Sequence, residues 1–343
     1  MEALCHPRRV SRRAWILFGL LSAAWGASYM FIKVALDDGV PPATIVFART
    51  ALAALVLWPI AARLGALEGL GSRLGAISLL ALVQVAAPFM LITLGEQEIS
   101  SSLAGILVGT APIFTFLLAF ALEGEERAGR ASLTGVGIGI VGVALLLGVD
   151  VGGSGAALLG GLAVVLASFG YAVGAWYLKR NLAEHEPVGI VATTLAATAL
   201  MVLPLVAFDP PGEVPSFDAA ASLVTLGVIG TGFCFVIFYW LIANEGPARA
   251  SLVAYVAPGF SVVYGVALLD ESFGVATAVG LALILGGSWL AAEGRLPRRR
   301  RSELAAGGID VAPAGQAHGG ADAAALQGGA EGGDRLARRA AEA

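Results

Sequence analysis

The sequence has little charge. Asp, Glu, Lys and Arg make up 13% of its 343 residues, against roughly 25% in a soluble domain. Hydrophobic residues make up 57% and form long, nearly charge-free runs between Ala14 and Ala292. About 20 apolar residues suffice for a helix to cross a bilayer. The composition therefore excludes a soluble globular domain and predicts an all-α polytopic membrane protein in contact with lipid, with no nucleic-acid partner.

Cysteine, histidine and intramembrane acids are also scarce. Cys5 and Cys234 cannot form a disulfide framework. The three histidines, His6, His185 and His318, fall in predicted tails or a loop, and no Asp or Glu falls well inside a predicted span. An intramembrane enzyme needs a Ser–His pair, an Asp pair or a metal cluster within the bilayer. We therefore expect no enzymatic activity, no metal site and no cofactor.

The hydrophobic pattern predicts ten spans joined by short loops. Their ranges are 14–36, 42–63, 74–95, 101–122, 131–149, 157–178, 188–207, 219–242, 250–269 and 275–292. Lys and Arg occur in the loops of one side only, and the opposite loops DDGVPP, EQEIS, DVGGSGA, FDPPGEVPSFD and DES contain none. Cytoplasmic loops carry the excess of Lys and Arg. The pattern places both termini in the cytoplasm and the protein in the plasma (bacterial inner) membrane.

The second half of the sequence repeats the first under a shift of 146 residues. The pairs that coincide are Lys33 with Lys179, Pro41 with Pro187, Pro112 with Pro258, and Glu125 with Glu271. Five predicted helices in each half would place the second half upside down, as in the inverted repeats of secondary transporters. We divide the chain into a cytoplasmic tail (1–13), a first repeat (14–149), a linker (150–156), a second repeat (157–293) and a disordered cytoplasmic tail (294–343).

Two prolines fall in the middle of predicted spans. Pro112 lies in the span 101–122 and Pro258 in the span 250–269. A proline in mid-helix frees a backbone carbonyl, and lipid-facing helices cannot leave such a group without a partner. We expect both helices to face an interior and both prolines to act as kink or gating residues.

Arg49 is the sharpest candidate for substrate binding. It lies about seven residues, or roughly 10 Å, inside the predicted outer end of the second span. A charge inside a membrane is costly and is by default a functional hypothesis, and a guanidinium can hold a carboxylate in a bidentate fork. The alternatives are snorkelling to the interface or pairing with Glu96 or Glu98. The sequence leaves these readings open.

Other candidates are aromatic and polar side chains in the predicted central spans. The rings could contact an apolar or aromatic substrate and offer hydroxyl or indole donors. The predicted substrate-binding set, beside Arg49, is Trp25, Tyr29, Gln84, Thr110, Tyr171, Trp176, Phe233 and Tyr255. Packing is the alternative role for any one ring.

Three further charges have mainly structural interpretations. Lys33, near the outer end of the first span, is expected to snorkel to the interface. Glu125 and Glu271 each stand shortly before a predicted helix, where the helix dipole favours a carboxylate.

With these features the chain resembles the EamA-type branch of the drug/metabolite transporter superfamily. The matching residues are Trp25-Gly26 with Lys33, Arg49, the segment from Pro112 to Glu125 with the following GVGIGIVG, and the echoes Lys179, Pro258, Glu271 and LGGSW. The resemblance covers about residues 14–293. The second half departs at Leu195, which stands where the first half has Arg49.

The resemblance implies a ten-helix carrier that moves small metabolites, often amino acids, and frequently outward. The small multidrug-resistance branch carries a glutamate in its first helix, and this sequence has none there. We therefore expect a facilitator or exchanger that exports zwitterionic or anionic compounds by alternating access. A membrane channel or a non-transporting scaffold is the alternative, and homodimerisation is left open.

Overall fold

The computed structural model describes residues 11–123, 130–149, 154–245 and 247–293, and within these ranges the chain is helical without a strand. Ten helices, α1 to α10 here, follow one another: Arg12–Asp37, Pro42–Arg63, Leu70–Gly95, Ser101–Leu122, Arg130–Val149, Gly155–Asn181, Pro187–Phe208, Phe217–Glu245, Val253–Leu268 and Val275–Glu293. One helical turn, Pro247–Ala250, precedes α9. Residues 1–10, Glu125, most of the predicted linker and the predicted tail 294–343 lie outside the described residues.

Nine helices of the described ranges are long and apolar enough to cross a membrane. Their ends agree with the predicted spans to within a few residues. The remaining helix, α9, is shorter. It has 16 residues, whereas a helix that crosses the membrane perpendicularly takes about 20. The all-α membrane architecture is confirmed. The count of ten spans stays a prediction, since the described residues form nine helices of spanning length and one shorter apolar helix.

The helix starts follow from local sequence. Four helices begin after a serine whose hydroxyl accepts a hydrogen bond from a backbone N–H three residues on, and these serines are Ser11, Ser100, Ser154 and Ser216. Such caps satisfy a donor that the first turn leaves free. Helices α2 and α7 instead begin at Pro42 and Pro187, where the missing proline N–H costs nothing.

Three helices depart from regular α geometry. A π segment occupies Ala81–Ala86 of α3, and another occupies Thr225–Phe233 of α8. Helix α4 is interrupted after Val108 and resumes at Ala111, so Pro112 lies in the first turn of its second piece. In α9, by contrast, Pro258 is buried inside a continuous helix. The sequence predicted a disturbance at both prolines, and only Pro258 lies in mid-helix.

The packing brings the two halves together. Helix α5 packs on α10, α2 on α7, and α4 on α9, while α1 packs on both α8 and α9. The largest buried apolar cluster spans both halves and includes Ile32, Ile45, Ile106, Leu226 and Val262. The core therefore lies between the halves rather than within each of them.

Glycines allow a close approach between α5 and α10. A Cβ atom on Gly135 would lie 2.6 Å from the carbonyl oxygen of Gly287, and one on Gly287 would lie 2.5 Å from the backbone nitrogen of Gly139. No side chain fits there. Small residues such as these let helix backbones come close together in a membrane.

Candidate functional site

Arg49 lies half-buried on α2, where that helix meets α8. Its Nε donates a hydrogen bond of 2.9 Å to the Thr231 hydroxyl oxygen in the π segment of α8. The Thr231 hydroxyl in turn donates to the Leu226 carbonyl oxygen, also at 2.9 Å. Because its proton is directed at Leu226, the hydroxyl can present a lone pair to Arg49. A residue of the second half thus orients the main charged candidate of the first.

The ring of Phe89, on α3, holds the other side of this guanidinium. The Arg49 Cζ lies 3.8 Å from the ring centroid, within the range of a cation–π interaction. Among the described residues no carboxylate lies within ion-pair distance of Arg49, and the bond to Thr231 is its protein hydrogen bond. The proposed pairing of Arg49 with Glu96 or Glu98 does not form. Its two terminal nitrogens therefore retain donors for a ligand.

Two predicted tyrosines lie close to Arg49. Tyr29 of α1 and Tyr171 of α6 are near enough to interact electrostatically with the guanidinium, and they interact with each other. Both rings also pack against the main apolar cluster. Three helices, α1, α2 and α6, thus bring one cation and two phenol groups to the same region.

Trp25 lies on α1 and is held by rings of α8. Its centroid is 5.2 Å from that of Phe238 and 6.2 Å from that of Phe235. Edge-to-face and tilted contacts at these separations are favourable. Trp25 therefore has the packing role that the sequence left as its alternative, and its predicted role in substrate binding stays a prediction.

Gln84 lies in the π segment of α3 and contacts α6. A Cβ atom on Gly174 would overlap the side chain of Gln84, so α6 approaches closely at this point. Trp176 lies half a turn further along α6, with the Arg180 guanidinium 5.3 Å from its ring centroid. The Trp176 indole N–H is buried, and it has no hydrogen-bond partner in the described chain. It is a donor that a ligand could satisfy.

The remaining predicted residues are not joined to Arg49 by any hydrogen bond or ring contact within the described ranges. The Thr110 hydroxyl donates to the Leu107 carbonyl oxygen at 2.7 Å, at the break in α4. The Tyr255 hydroxyl lies 3.5 Å from the Ser288 carbonyl oxygen on α10. Phe233 is half-exposed on α8. Their role in binding stays a prediction.

Glu96, directly after α3, is a buried acid that sequence reasoning underrated. It is completely shielded from solvent, and within the described residues neither carboxylate oxygen has a hydrogen-bond partner. Burial raises the pKa of this carboxyl well above its usual range, while the charge of Lys33 opposes the rise. In the sequence Glu96 belongs to the polar run EQE after a span, which is typical of an exposed loop.

Lys33 lies beside Glu96 without forming an ion pair with its carboxylate. The Lys33 ammonium donates to the backbone carbonyl of Glu96 at 3.0 Å and lies 3.6 Å from the carboxylate of Asp37. Its side chain is 23% exposed. The ammonium reaches polar groups at the helix end, which agrees with the expected snorkelling.

Glu271 caps a helix, as expected of a carboxylate at this place, but the helix belongs to the other half. Its oxygens accept from the backbone N–H groups of Ser101 and Ser102, at 2.7 and 3.0 Å, and from the Ser102 hydroxyl at 2.5 Å. The capped terminus is therefore that of α4, and not that of the following helix α10.

A separate cavity of about 370 Å³ lies between the α1–α2 and α7–α8 loops. Asp38 lines it together with residues 39–40 and 211–216. It contains none of the predicted substrate-binding residues, and the Asp38 carboxylate there accepts from the Ser216 N–H at 2.9 Å. We do not assign substrate binding to it.

Comparison with known proteins decides the family. The model of the EamA-like transporter family matches residues 13–148 and again residues 158–292. The chain belongs to the EamA-like transporter family. The two matches confirm the resemblance. As an EamA protein it is a membrane transporter, and it contacts the lipid bilayer.

Similar proteins carry transporter names. An inner membrane transporter of Escherichia coli, YedA, is 27% identical over 78% of this chain and 88% of its own length. A probable terminal-alkyne amino-acid exporter of Streptantibioticus cattleyicolor is 27% identical over 86% of this chain and 98% of its own. A solved crystal structure superposes with a TM-score of 0.59 at 20% identity, covering 82% of this chain and 99% of the other. That last likeness concerns the fold alone.

Proposed function

We propose that this EamA transporter exports amino acids or related zwitterionic or anionic compounds by alternating access. The observation that carries the proposal is the guanidinium of Arg49, which lies between the halves without an acidic partner in the described chain. A buried charge is retained at a cost and is by default functional in a membrane.

Arg49 suits a carboxylate ligand. Thr231 occupies its Nε and Phe89 covers one face, so the guanidinium is oriented before a ligand arrives. A carboxylate binds a guanidinium through two parallel charge-assisted hydrogen bonds, and the fixed fork geometry of Arg favours that arrangement over a lysine contact. The predicted preference for substrates that carry a carboxylate follows.

Tyr29, Tyr171 and Trp176 would contact the remainder of the substrate. The two tyrosines lie near Arg49, and the indole N–H of Trp176 lacks a partner among the described residues. Phenol and indole groups combine apolar faces with hydrogen-bond donors. Such a lining accepts amino acids with apolar or aromatic side chains.

The mechanism rests on ten spans in two inverted repeats, with both termini in the cytoplasm. Supporting it, Gln84 meets Gly174 where α3 approaches α6, and Gly230 meets Ser28 where α8 approaches α1. The two pairs correspond under the shift of 146 residues. In such repeats the substrate site lies between the halves near the midplane, and the halves rock about it. Pro112 and Pro258 would let α4 and α9 bend during that motion.

The relative that is named an amino-acid exporter supports both the substrate class and the direction. It matches 86% of this chain and 98% of its own length at 27% identity. The positions of Lys and Arg support a cytoplasmic location of both termini. Export from the cytoplasm is therefore the direction we propose.

Counterflow in proteoliposomes tests the proposal. Vesicles loaded with unlabelled amino acid should accumulate labelled amino acid transiently, with saturable rates, because a carrier exchanges substrate across the membrane. An amino-acid methyl ester, which lacks the carboxylate, should compete poorly, whereas an N-acetyl derivative tests the ammonium group. Flux without counterflow would indicate a channel, and absence of exchange for every amino acid would overturn the substrate class.

A further inference from the structure

The carboxyl group of Glu96 is buried and has no hydrogen-bond partner among the described residues. Its side chain has no solvent exposure, and neither oxygen accepts a hydrogen bond within the described chain. The other acids nearby are in different situations. Glu271 accepts three hydrogen bonds, and Asp37 is largely exposed beside Lys33.

An ionised carboxylate in this position would be costly, because burial of a charge without hydrogen bonds or a paired ion carries a large desolvation penalty. A carboxyl group avoids the penalty when it binds a proton. The charged groups that act on Glu96 are Lys33 and Asp37 on α1, Arg49 on α2, and Glu271 in the loop between α9 and α10, and Tyr29 on α1 is also close. Two are cations and two are acids, so their effects partly cancel and burial dominates.

Glu96 lies where groups from both halves of the protein meet. Glu96 follows α3, its backbone carbonyl binds the Lys33 ammonium of α1, and α4 begins five residues later with its N-terminus held by Glu271. Glu271 belongs to the second half, and the other groups belong to the first. A movement that separates the halves at this end would admit water to Glu96.

We propose that Glu96 is a proton-binding site that makes the opening of this end of the protein depend on pH. The proposal rests on the transport function above. With this end closed, the carboxyl group keeps its O–H bond. When the end opens, that bond breaks, the proton passes to water, and the carboxylate is stabilised by hydration and by Lys33.

The transport test compares two neighbouring glutamates. Glu96→Gln keeps the shape of the protonated acid but cannot release a proton. Glu98→Gln makes the same substitution at an exposed position two residues away. With equal pH on both sides of the vesicle, raising the pH should accelerate amino-acid counterflow in the wild type and in Glu98→Gln, because opening releases the proton. It should have no effect in Glu96→Gln, which retains counterflow, and a pH response of counterflow in Glu96→Gln would overturn the proposal.

An infrared titration separates this proposal from the substrate assignment, because it needs no substrate. The purified wild type should keep the carbonyl band of one protonated carboxylic acid as the pH rises past about 4.3, the value of a free glutamate. The band should be absent in Glu96→Gln and present in Glu98→Gln. If Glu96→Gln does not fold, Glu96→Asp should shift the band. An unshifted band, or loss of all such bands near the free value, would overturn the proposal.

Discussion

Arg49 on α2 and Leu195 on α7 stand 146 residues apart at equivalent places in the two halves, and the two helices pack on each other. Arg49 carries a guanidinium oriented by Thr231, whereas Leu195 is 1% exposed within an apolar cluster. The same contrast recurs at the other polar candidates of the first half. The equivalent pairs are Gln84 and Gly230, Glu96 and Ile242, and Thr110 and Val256.

The contrast teaches that the repeat specifies the helical plan, while the charged groups near Arg49 belong to the first half. The second half contributes the rings of Tyr171 and Trp176 and groups that orient or connect. Thr231 orients Arg49, and Glu271 holds the start of α4. A transporter built this way has a pseudosymmetric scaffold and an asymmetric site.

Replacing Arg49 with leucine gives α2 the residue that α7 has at the equivalent position. Of the substitutions considered, it should have the largest effect on substrate binding. A hydrogen bond to a charged group contributes about 1.5–3 kcal/mol, and about 1.4 kcal/mol corresponds to tenfold in affinity. We expect Arg49→Leu to weaken amino-acid binding by about 10- to 100-fold, measured as the half-saturation concentration in counterflow. Leu195→Met, which conserves volume, should leave that concentration unchanged. Unaltered affinity in a folded Arg49→Leu variant would remove Arg49 from the site.

Gly26 and Ala172 occupy equivalent positions in the two halves but differ in the space that surrounds them. A Cβ atom on Gly26 would lie 2.7 Å from the Ala257 carbonyl oxygen, which is backbone and cannot move aside. The equivalent place on α6 accommodates the buried methyl group of Ala172. Gly26→Ala should destabilise the protein by about 1–3 kcal/mol through overpacking, and Ala172→Gly by about 1 kcal/mol through lower helix propensity. Unfolding in detergent measures both, and a Gly26→Ala variant at least as stable as the wild type would contradict the close approach at α1.

Glu271→Gln tests the connection from the second half to α4. The substitution removes the negative charge that accepts from Ser101 and Ser102 at the helix N-terminus. We expect a loss of about 1–2 kcal/mol, the range of a helix cap. Ser102→Ala removes one of the three hydrogen bonds and should cost less, in the same unfolding experiment. A larger loss for Ser102→Ala would show that the carboxylate is not the main stabilising group.

Replacing the prolines with alanine should have the smallest effect on stability. Pro112 lies in the first turn of its helical piece, where alanine is tolerated, so Pro112→Ala should change stability by no more than roughly 0.5 kcal/mol. Pro258 interrupts the hydrogen bonding of α9. Pro258→Ala should lower turnover several-fold more than Pro112→Ala while both variants remain folded. Equal turnover would argue against a gating role for Pro258.

Much of the fold was predictable because its signals are local. Long apolar runs mark the helices, and the shift of 146 residues reveals the repeat. Arg49 was predictable as a charge in an apolar run. The π segments in α3 and α8 were not, since one extra residue in a helical turn leaves no mark on hydrophobicity.

The acids at the helix ends show the limit of local reasoning. Glu96 and Glu98 look alike in the run EQE, yet one is buried and the other exposed. Glu271 was expected at a helix N-terminus, but which terminus depends on contacts 170 residues apart along the chain. Burial and pairing at these places are set by tertiary packing.

The glycine contact between α5 and α10 has a mechanical consequence. Gly135, Gly139 and Gly287 bring the two backbones together without side chains between them, and such contacts are short and specific. A side chain at Gly135 or at Gly287 would collide with main-chain atoms of the other helix. We expect α5 and α10 to stay fixed relative to each other while the remaining helices tilt. A cysteine cross-link between α5 and α10 should therefore leave transport active.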